Sequence, residues 1–254
     1  VKIVRSVAEV VEHRRTRGAG TTGLVPTMGA LHEAHLALVR RAKAENARAW
    51  ASIFVNPAQF DDPGDLDRYP RTIEQDLELL RGAGCDLAFL PTADEIYRDG
   101  YRYRVTENEL SLRLEGASRP GHFDGVLTVV LKLLQLTRPE RAYFGEKDIQ
   151  QLELVEGLVH AFFIDTQIVR CPTRREPDGL AMSSRNRLLS AADRARAPAF
   201  HRLLAASVAE RISPAEAARA LASEGFEVDY VADRDGRRLG AVRLGKVRLI
   251  DNVE

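Results

Sequence analysis

Gly23-Leu24-Val25-Pro26-Thr27-Met28-Gly29-Ala30-Leu31-His32-Glu33-Ala34-His35 holds a strand, a glycine turn and a helix start in succession. Gly23 to Pro26 reads as a short buried strand that stops at the proline. Helical spacing begins at His32 and runs to about Asn46, with Leu36, Val39 and Ala42 on one side. The same alternation recurs along the chain. Ser6-Val7-Ala8-Glu9 is a capping box opening a helix over 6–17, which Gly18 stops. Trp50 to Val55 is a strand run, and Thr72-Ile73-Glu74-Gln75 a second capping box whose helix ends near Gly82–Gly84. Leu87 to Leu90 is the next strand. Val126, Val129, Val130, Leu133 and Leu134 keep helical spacing until Pro139. A strand at 142–144, a helix carrying Leu152, Val155, Leu158, Val159 and Phe162, and a strand at 166–169 complete the series. Strands separated by helices imply right-handed crossovers and a mostly parallel sheet covered on both faces. Ligands of such sheets sit beyond the carboxyl ends of the strands.

After about residue 175 the alternation ends. A helix over 190–209 is expected, then a second helix capped by Ser213-Pro214-Ala215-Glu216, then strands at 227–232 and 242–250. The reading is an α/β domain over 1–173 and a smaller C-terminal α+β domain over 174–254. Arg170–Gly179, with two prolines and a glycine, is the candidate hinge.

The 254 residues carry 37 basic and 37 acidic side chains, so the formal net charge is zero. Coating a nucleic acid needs a basic excess, and a membrane patch needs a basic cluster, so neither partner is expected. The two cysteines, Cys85 and Cys171, form no C-x-x-C pair and are too few for a disulfide framework. They read as buried structural thiols of a reducing, cytoplasmic compartment. No apolar run reaches the length of a membrane helix, and Val1 to Arg5 is too short and too charged for a signal peptide.

Five polar clusters follow strand runs. In the first, helix-start N–H groups favour an anion, and His32 and His35 share a helix face where they could donate to phosphate oxygens. They could equally cap and pack the helix. The H-E-x-H spacing departs from the zinc-protease H-E-x-x-H. In the second, Asn56 and Gln59 offer amides to a polar or carboxylate ligand, or to their own loop. The third, Arg119 to Gly125, contains His122, either a ligand contact or a turn residue. The fourth, Gly145-Glu146-Lys147-Asp148-Ile149-Gln150-Gln151, places Lys147 as a point charge for phosphate without a Walker A spacing. The fifth, Asp178 to Asn186, sets Ser183, Ser184 and Arg185 in a row suited to polyphosphate or to a polar hinge. Together they lack a nucleophile–base pair. The set suits binding ATP while a bound nucleophile attacks phosphorus.

These segments resemble the pantoate–β-alanine ligase family. The resemblance runs through Val25-Pro-Thr-Met-Gly-Ala-Leu-His32, Ser52-Ile-Phe-Val-Asn-Pro57, Tyr69-Pro-Arg-Thr72, Leu114-Glu-Gly-Ala-Ser-Arg-Pro-Gly-His-Phe123, Phe144-Gly-Glu-Lys-Asp148, Gly179-Leu-Ala-Met-Ser-Ser-Arg-Asn186 and Leu249-Ile-Asp-Asn252. It implies a Rossmann-like doubly wound sheet, a mobile C-terminal lid and a homodimer. It also implies ATP-dependent condensation of pantoate with β-alanine through pantoyl adenylate, giving pantothenate, AMP and pyrophosphate. The alternatives are a relative that stops at a released adenylate and a non-catalytic binder.

By the same resemblance, His32 and His35 would meet ATP phosphates, with His35 the proton donor. Met28, Gly29, Ala30, Leu31, Glu33 and Ala34 would line the nucleotide. Gly145, Glu146, Lys147 and Asp148 would surround it, with Lys147 neutralising phosphate charge. Met182, Ser183, Ser184 and Arg185 would cover the triphosphate, and the Arg174 backbone would meet adenine. Gln59 and Gln151 would hold pantoate, supported by Asn56. Mg²⁺ would travel on the phosphates, with Asp76 a possible outer contact. Ala34 stands where that family carries glycine, which puts a methyl group against the adenine position.

Overall fold

The computed structural model describes all 254 residues. They divide into two compact units, Val1–Glu146 with Gln150–Cys171, and Lys147–Ile149 with Pro172–Glu254.

The first unit begins with β1 (Lys2–Val4), α1 (Val7–Thr16), β2 (Thr22–Thr27), α2 (Glu33–Glu45) and β3 (Arg48–Ile53). Short α3 (Pro63–Arg68) precedes α4 (Ile73–Gly82), β4 (Leu87–Phe89), α5 (Ala93–Ile96) and α6 (Glu115–Ser118). Then come α7 (His122–Thr137), β5 (Arg141–Gly145), α8 (Ile149–Ala161) and β6 (Gln167–Cys171). Six strands form one sheet in the order β1-β4-β3-β2-β5-β6, and every pairing is parallel. The doubly wound parallel sheet expected from the alternation is present. β1 adds to the expected strands, because three residues at an edge give too short a pattern to read. The connections run outward in opposite directions from the β2–β5 neighbours, which makes this pair the switch point of the sheet.

Local chemistry accounts for most boundaries. Ser6 accepts from the Glu9 N–H while the Glu9 carboxylate accepts from Ser6, so the first capping box forms as read. The second does not form. Thr72 stands at the N-cap of α4 without a side-chain cap bond, and its hydroxyl donates to Asp76 instead. Val25, Ala49, Ala51, Ala88 and Tyr143 of the sheet pack with Leu36, Val39 and Leu80 from α2 and α4 in one buried core. Both cysteines are free and buried. Burial pushes the Cys85 thiol up to about 12, which makes it an inert packing group.

The second unit contains α9 (Ala191–Arg196), α10 (Pro198–Ala209), α11 (Pro214–Ser223) and an antiparallel sheet of β7 (Glu227–Arg234), β8 (Arg237–Leu244) and β9 (Val247–Val253). Two expectations are corrected here. The helix over 190–209 is two helices, because Pro198 cannot continue α9 and instead starts α10. The two strands at 227–232 and 242–250 are three, joined by turns at Asp235-Gly236 and Gly245-Lys246. Phe200, Leu204 and Leu221 pack with Val242, Leu244, Val247 and Leu249 in a core of their own. Of the expected hinge, Arg170 and Cys171 complete β6, and Arg175 is bridged to Ala181. No helix is long and apolar enough to cross a membrane.

Candidate functional site

The turn after β2 is held by one carboxylate. Gly29 and Ala30 both have positive φ, +82° and 49°. A non-glycine residue in that region costs roughly 1–2 kcal/mol. Asp76, buried at the start of α4, offsets this by accepting from Ala30 N at 2.9 Å and Leu31 N at 2.8 Å. A Cβ at Gly29 would stand 3.0 Å from the Asp76 carboxylate and 3.1 Å from Ile53, so the close approach needs glycine. Asp76 thus anchors the turn through both oxygens, Ala30 and Leu31 are fully buried with their N–H groups on Asp76, and Gly29 N donates to Thr27 Oγ1.

What this turn offers is the histidine pair. His32 is the N-cap residue of α2 and His35 stands in its first turn. Their rings lie 4.0 Å apart, and His32 N donates to His35 Nδ1 at 3.4 Å. An accepting Nδ1 leaves Nε2 as the protonated nitrogen of a neutral His35 ring. That tautomer is a hydrogen-bond donor.

Asn56 and Gln59 follow β3. Asn56 is buried and fixed from three sides: Tyr97 donates to its Oδ1 at 2.8 Å, and its Nδ2 donates to Gly125 O and to Gln59 Oε1. Gln59 Nε2 in turn approaches Met28 Sδ at 3.1 Å. The structure therefore brings Met28, Asn56 and Gln59 together at the carboxyl ends of β2 and β3. At the start of α8, Gln150 is consumed structurally, donating to Leu110 O and Arg113 O at 2.8 Å each. Half-buried Gln151 makes none of these bonds.

Sequence reasoning missed what stands behind Gln59. His122 Nδ1 donates to the Gln59 carbonyl at 2.8 Å, Arg119 reaches the same carbonyl at 3.2 Å, and Asp61 pairs with Arg119 at 3.0 Å. His122, a ligand contact or a turn residue on sequence alone, is thus a buried support. Burial, followed by the Arg119 charge, pulls its pKa down to about 4. The unfolded chain takes a proton near pH 6.5 while the folded chain refuses it until about pH 4. Stability should therefore fall as pH drops through that window, by up to about 3 kcal/mol, and be flat above it. Urea midpoints measured against pH would check this. His122→Asn, which keeps a donor at the δ position, should flatten the curve.

Lys147, Asp148, Arg174, Met182, Ser183, Ser184 and Arg185 belong to the second unit, and Gly145 and Glu146 to the first. Lys147 follows β5 in a 3-10 turn, Glu146–Asp148, with its ammonium 3.8 Å from Asp148. Arg174 O accepts from Met182 N at 3.0 Å, which closes the hairpin between them. Ser183 caps the turn Ser184–Leu188 by accepting from Arg185 N. Ser184 is buried, whereas Met182, Ser183 and Arg185 are half-exposed. No group of three or more His, Cys, Asp or Glu side chains is arranged to hold a metal ion.

A family profile described as pantoate-beta-alanine ligase matches residues 2–254. The pantothenate synthetase of Bdellovibrio bacteriovorus is 51% identical over 253 residues, covering 100% of this chain and 99% of the relative. That of Legionella pneumophila (strain Corby) is 45% identical, covering 99% of each chain. Among solved structures, the Francisella tularensis pantoate-beta-alanine ligase complexed with beta-gamma ATP and beta-alanine superposes with a TM-score of 0.93 at 41% identity, over 100% of this chain and 97% of that one. A Thermus thermophilus pantothenate synthetase gives 0.92 at 44% identity, over 100% and 99%.

Proposed function

The chain belongs to the pantoate–beta-alanine ligase family, and from that premise we propose that it joins pantoate to β-alanine through a pantoyl adenylate. A pantoate carboxylate oxygen attacks the α-phosphorus of ATP, and pyrophosphate leaves. The β-alanine amine then attacks the acyl carbon, loses a proton, and AMP leaves. Activation works because AMP is a far better leaving group than oxide.

The carrying observation is the placement of Gln59, whose side-chain amide is held by Asn56 and turned toward Met28 of the histidine turn while His122 holds its main-chain carbonyl. Gln59 and Gln151 hold pantoate in this reading, so its carboxylate is presented to phosphorus as a positioned nucleophile. His35 donates through Nε2 to the phosphate oxygens, with His32 beside it. Lys147, Ser183 and Arg185 meet charge on the triphosphate, and buried Ser184 supports their turn. Gly145, Glu146 and Asp148 flank the nucleotide, with Arg174 and Met182 toward adenine. Mg²⁺ would travel on the phosphates of ATP, as is usual for this ion. A homodimer in the cytoplasm completes the reading, supported by the family resemblance and by two free buried thiols.

The test uses ATP, Mg²⁺, pantoate and β-alanine. AMP and pantothenate should appear in equal amounts. Pantoate alone should drive exchange of labelled pyrophosphate into ATP, and labelled carboxylate oxygen should end in AMP. Absence of both the exchange and the transferred label would remove the adenylate route.

Two substitutions probe the walls of this site. A Cβ at Gly125 would lie 2.2 Å from Ala58 O and 2.7 Å from Gln59 Cα. Gly125→Ala should destabilise the protein by about 1–3 kcal/mol and raise the KM for pantoate, read by thermal unfolding and initial rates. Ala34→Gly removes the methyl group set against adenine. ATP should bind at least about 5-fold more tightly by calorimetry, and an unchanged affinity would dismiss the crowding.

A further inference from the structure

Leu249-Ile-Asp-Asn252 is part of the resemblance, yet none of the proposed roles uses it. In the structure Asp251 and Asn252 sit on β9, both buried. Asp251 accepts a two-pronged pair from Arg175 at 2.7 and 2.9 Å, and His201 Nδ1 lies 3.0 Å away. It thereby ties β9 to the hairpin that carries Arg174 and Met182. Asn252 does something different. Its Nδ2 donates to the main-chain carbonyl of Lys147 at 3.1 Å, across 105 residues of sequence. Arg237 donates to Asn252 Oδ1 at 2.9 Å, which fixes the amide so that its donor side faces Lys147. This contact is one reason that Lys147–Ile149, at the entry to α8 in sequence, belongs to the second unit.

A lysine ammonium rides on a flexible four-carbon stem, so its reach is set by where the stem is rooted. We propose that Asn252, oriented by Arg237, is the positioning residue that roots Lys147 for adenylation. This rests on the charge-neutralising role given to Lys147 above. Asn252 touches no substrate in this account and acts only through Lys147.

The consequence is non-additivity. Asn252→Asp is isosteric but turns the donor into a carboxylate facing a carbonyl. Pyrophosphate exchange driven by pantoate should fall about 10-fold in kcat, with the KM for pantoate unchanged. In a Lys147→Ala background the same substitution should cost less than about 2-fold, because the effect it transmits is already gone. A general packing defect would instead multiply through both backgrounds, and that result overturns the proposal, as does full activity in Asn252→Asp. If Lys147→Ala itself leaves exchange intact, the role of Lys147 fails, and the positioning role falls with it. Should Asn252→Asp not fold, judged by thermal unfolding, Arg237→Met takes its place in the same cycle. It frees the amide to turn while leaving Asn252 present, and the same two outcomes decide.

Discussion

His35→Ala is expected to lower pantoate-driven pyrophosphate exchange by about 10²–10³-fold, the usual effect of removing one preorganised donor from developing charge. The reason lies in the tautomer. With Nδ1 accepting from His32 N, the only proton on a neutral ring is at Nε2. In the proposed role that N–H meets the phosphate oxygens as negative charge shifts toward the leaving pyrophosphate. The loss should appear in kcat, with the KM for pantoate little changed, because the interaction strengthens only in the transition state. His35→Gln, which restores an N–H near the same place, should recover part of the rate. Exchange at the wild-type rate in His35→Ala would take the histidine out of the chemistry.

Lys147→Ala should produce a loss of similar size, about 10²–10³-fold in the same step, for a different reason. Here the whole positive charge disappears from a protein whose formal charges sum to zero. Nothing in the bulk composition compensates, so the triphosphate depends on a few local cations. Lys147→Arg should restore little. The guanidinium is a planar fork, larger than an ammonium and directional where the ammonium is a compact point charge. ATP titrations alongside the exchange assay separate lost binding from lost rate, and a variant that exchanges normally would reassign the residue.

Five of the six strands of the sheet were legible because they end in glycine, proline or polar turns and the crossover helices keep an apolar face. Hydrophobic period suffices for such elements. The C-terminal sheet was half legible: the strand run at 242–250 hides a two-residue turn, Gly245-Lys246, inside an otherwise continuous β pattern. The paired histidines and the amides after β3 announced themselves by type and place. Their supports did not. Asp76 looks in sequence like any acidic residue in a first helical turn, and its burial against Ala30 and Leu31 is a long-range fact. His122 could be read two ways, since only the fold reveals that the Gln59 carbonyl lies 2.8 Å from its ring.

The bond between Asn252 and Lys147 also has a meaning in time. A ribosome adding about 5–20 residues per second finishes Lys147 well before the residue that will grip its carbonyl, since 105 residues separate them. The delay is of order 5–20 s. During it, translation can deliver all six strands of the large sheet, the histidine turn and the amides after β3. The lysine of the nascent chain still lacks its anchor. The nascent chain thus holds the histidine turn and the Asn56 and Gln59 amides before it holds the residue that grips Lys147.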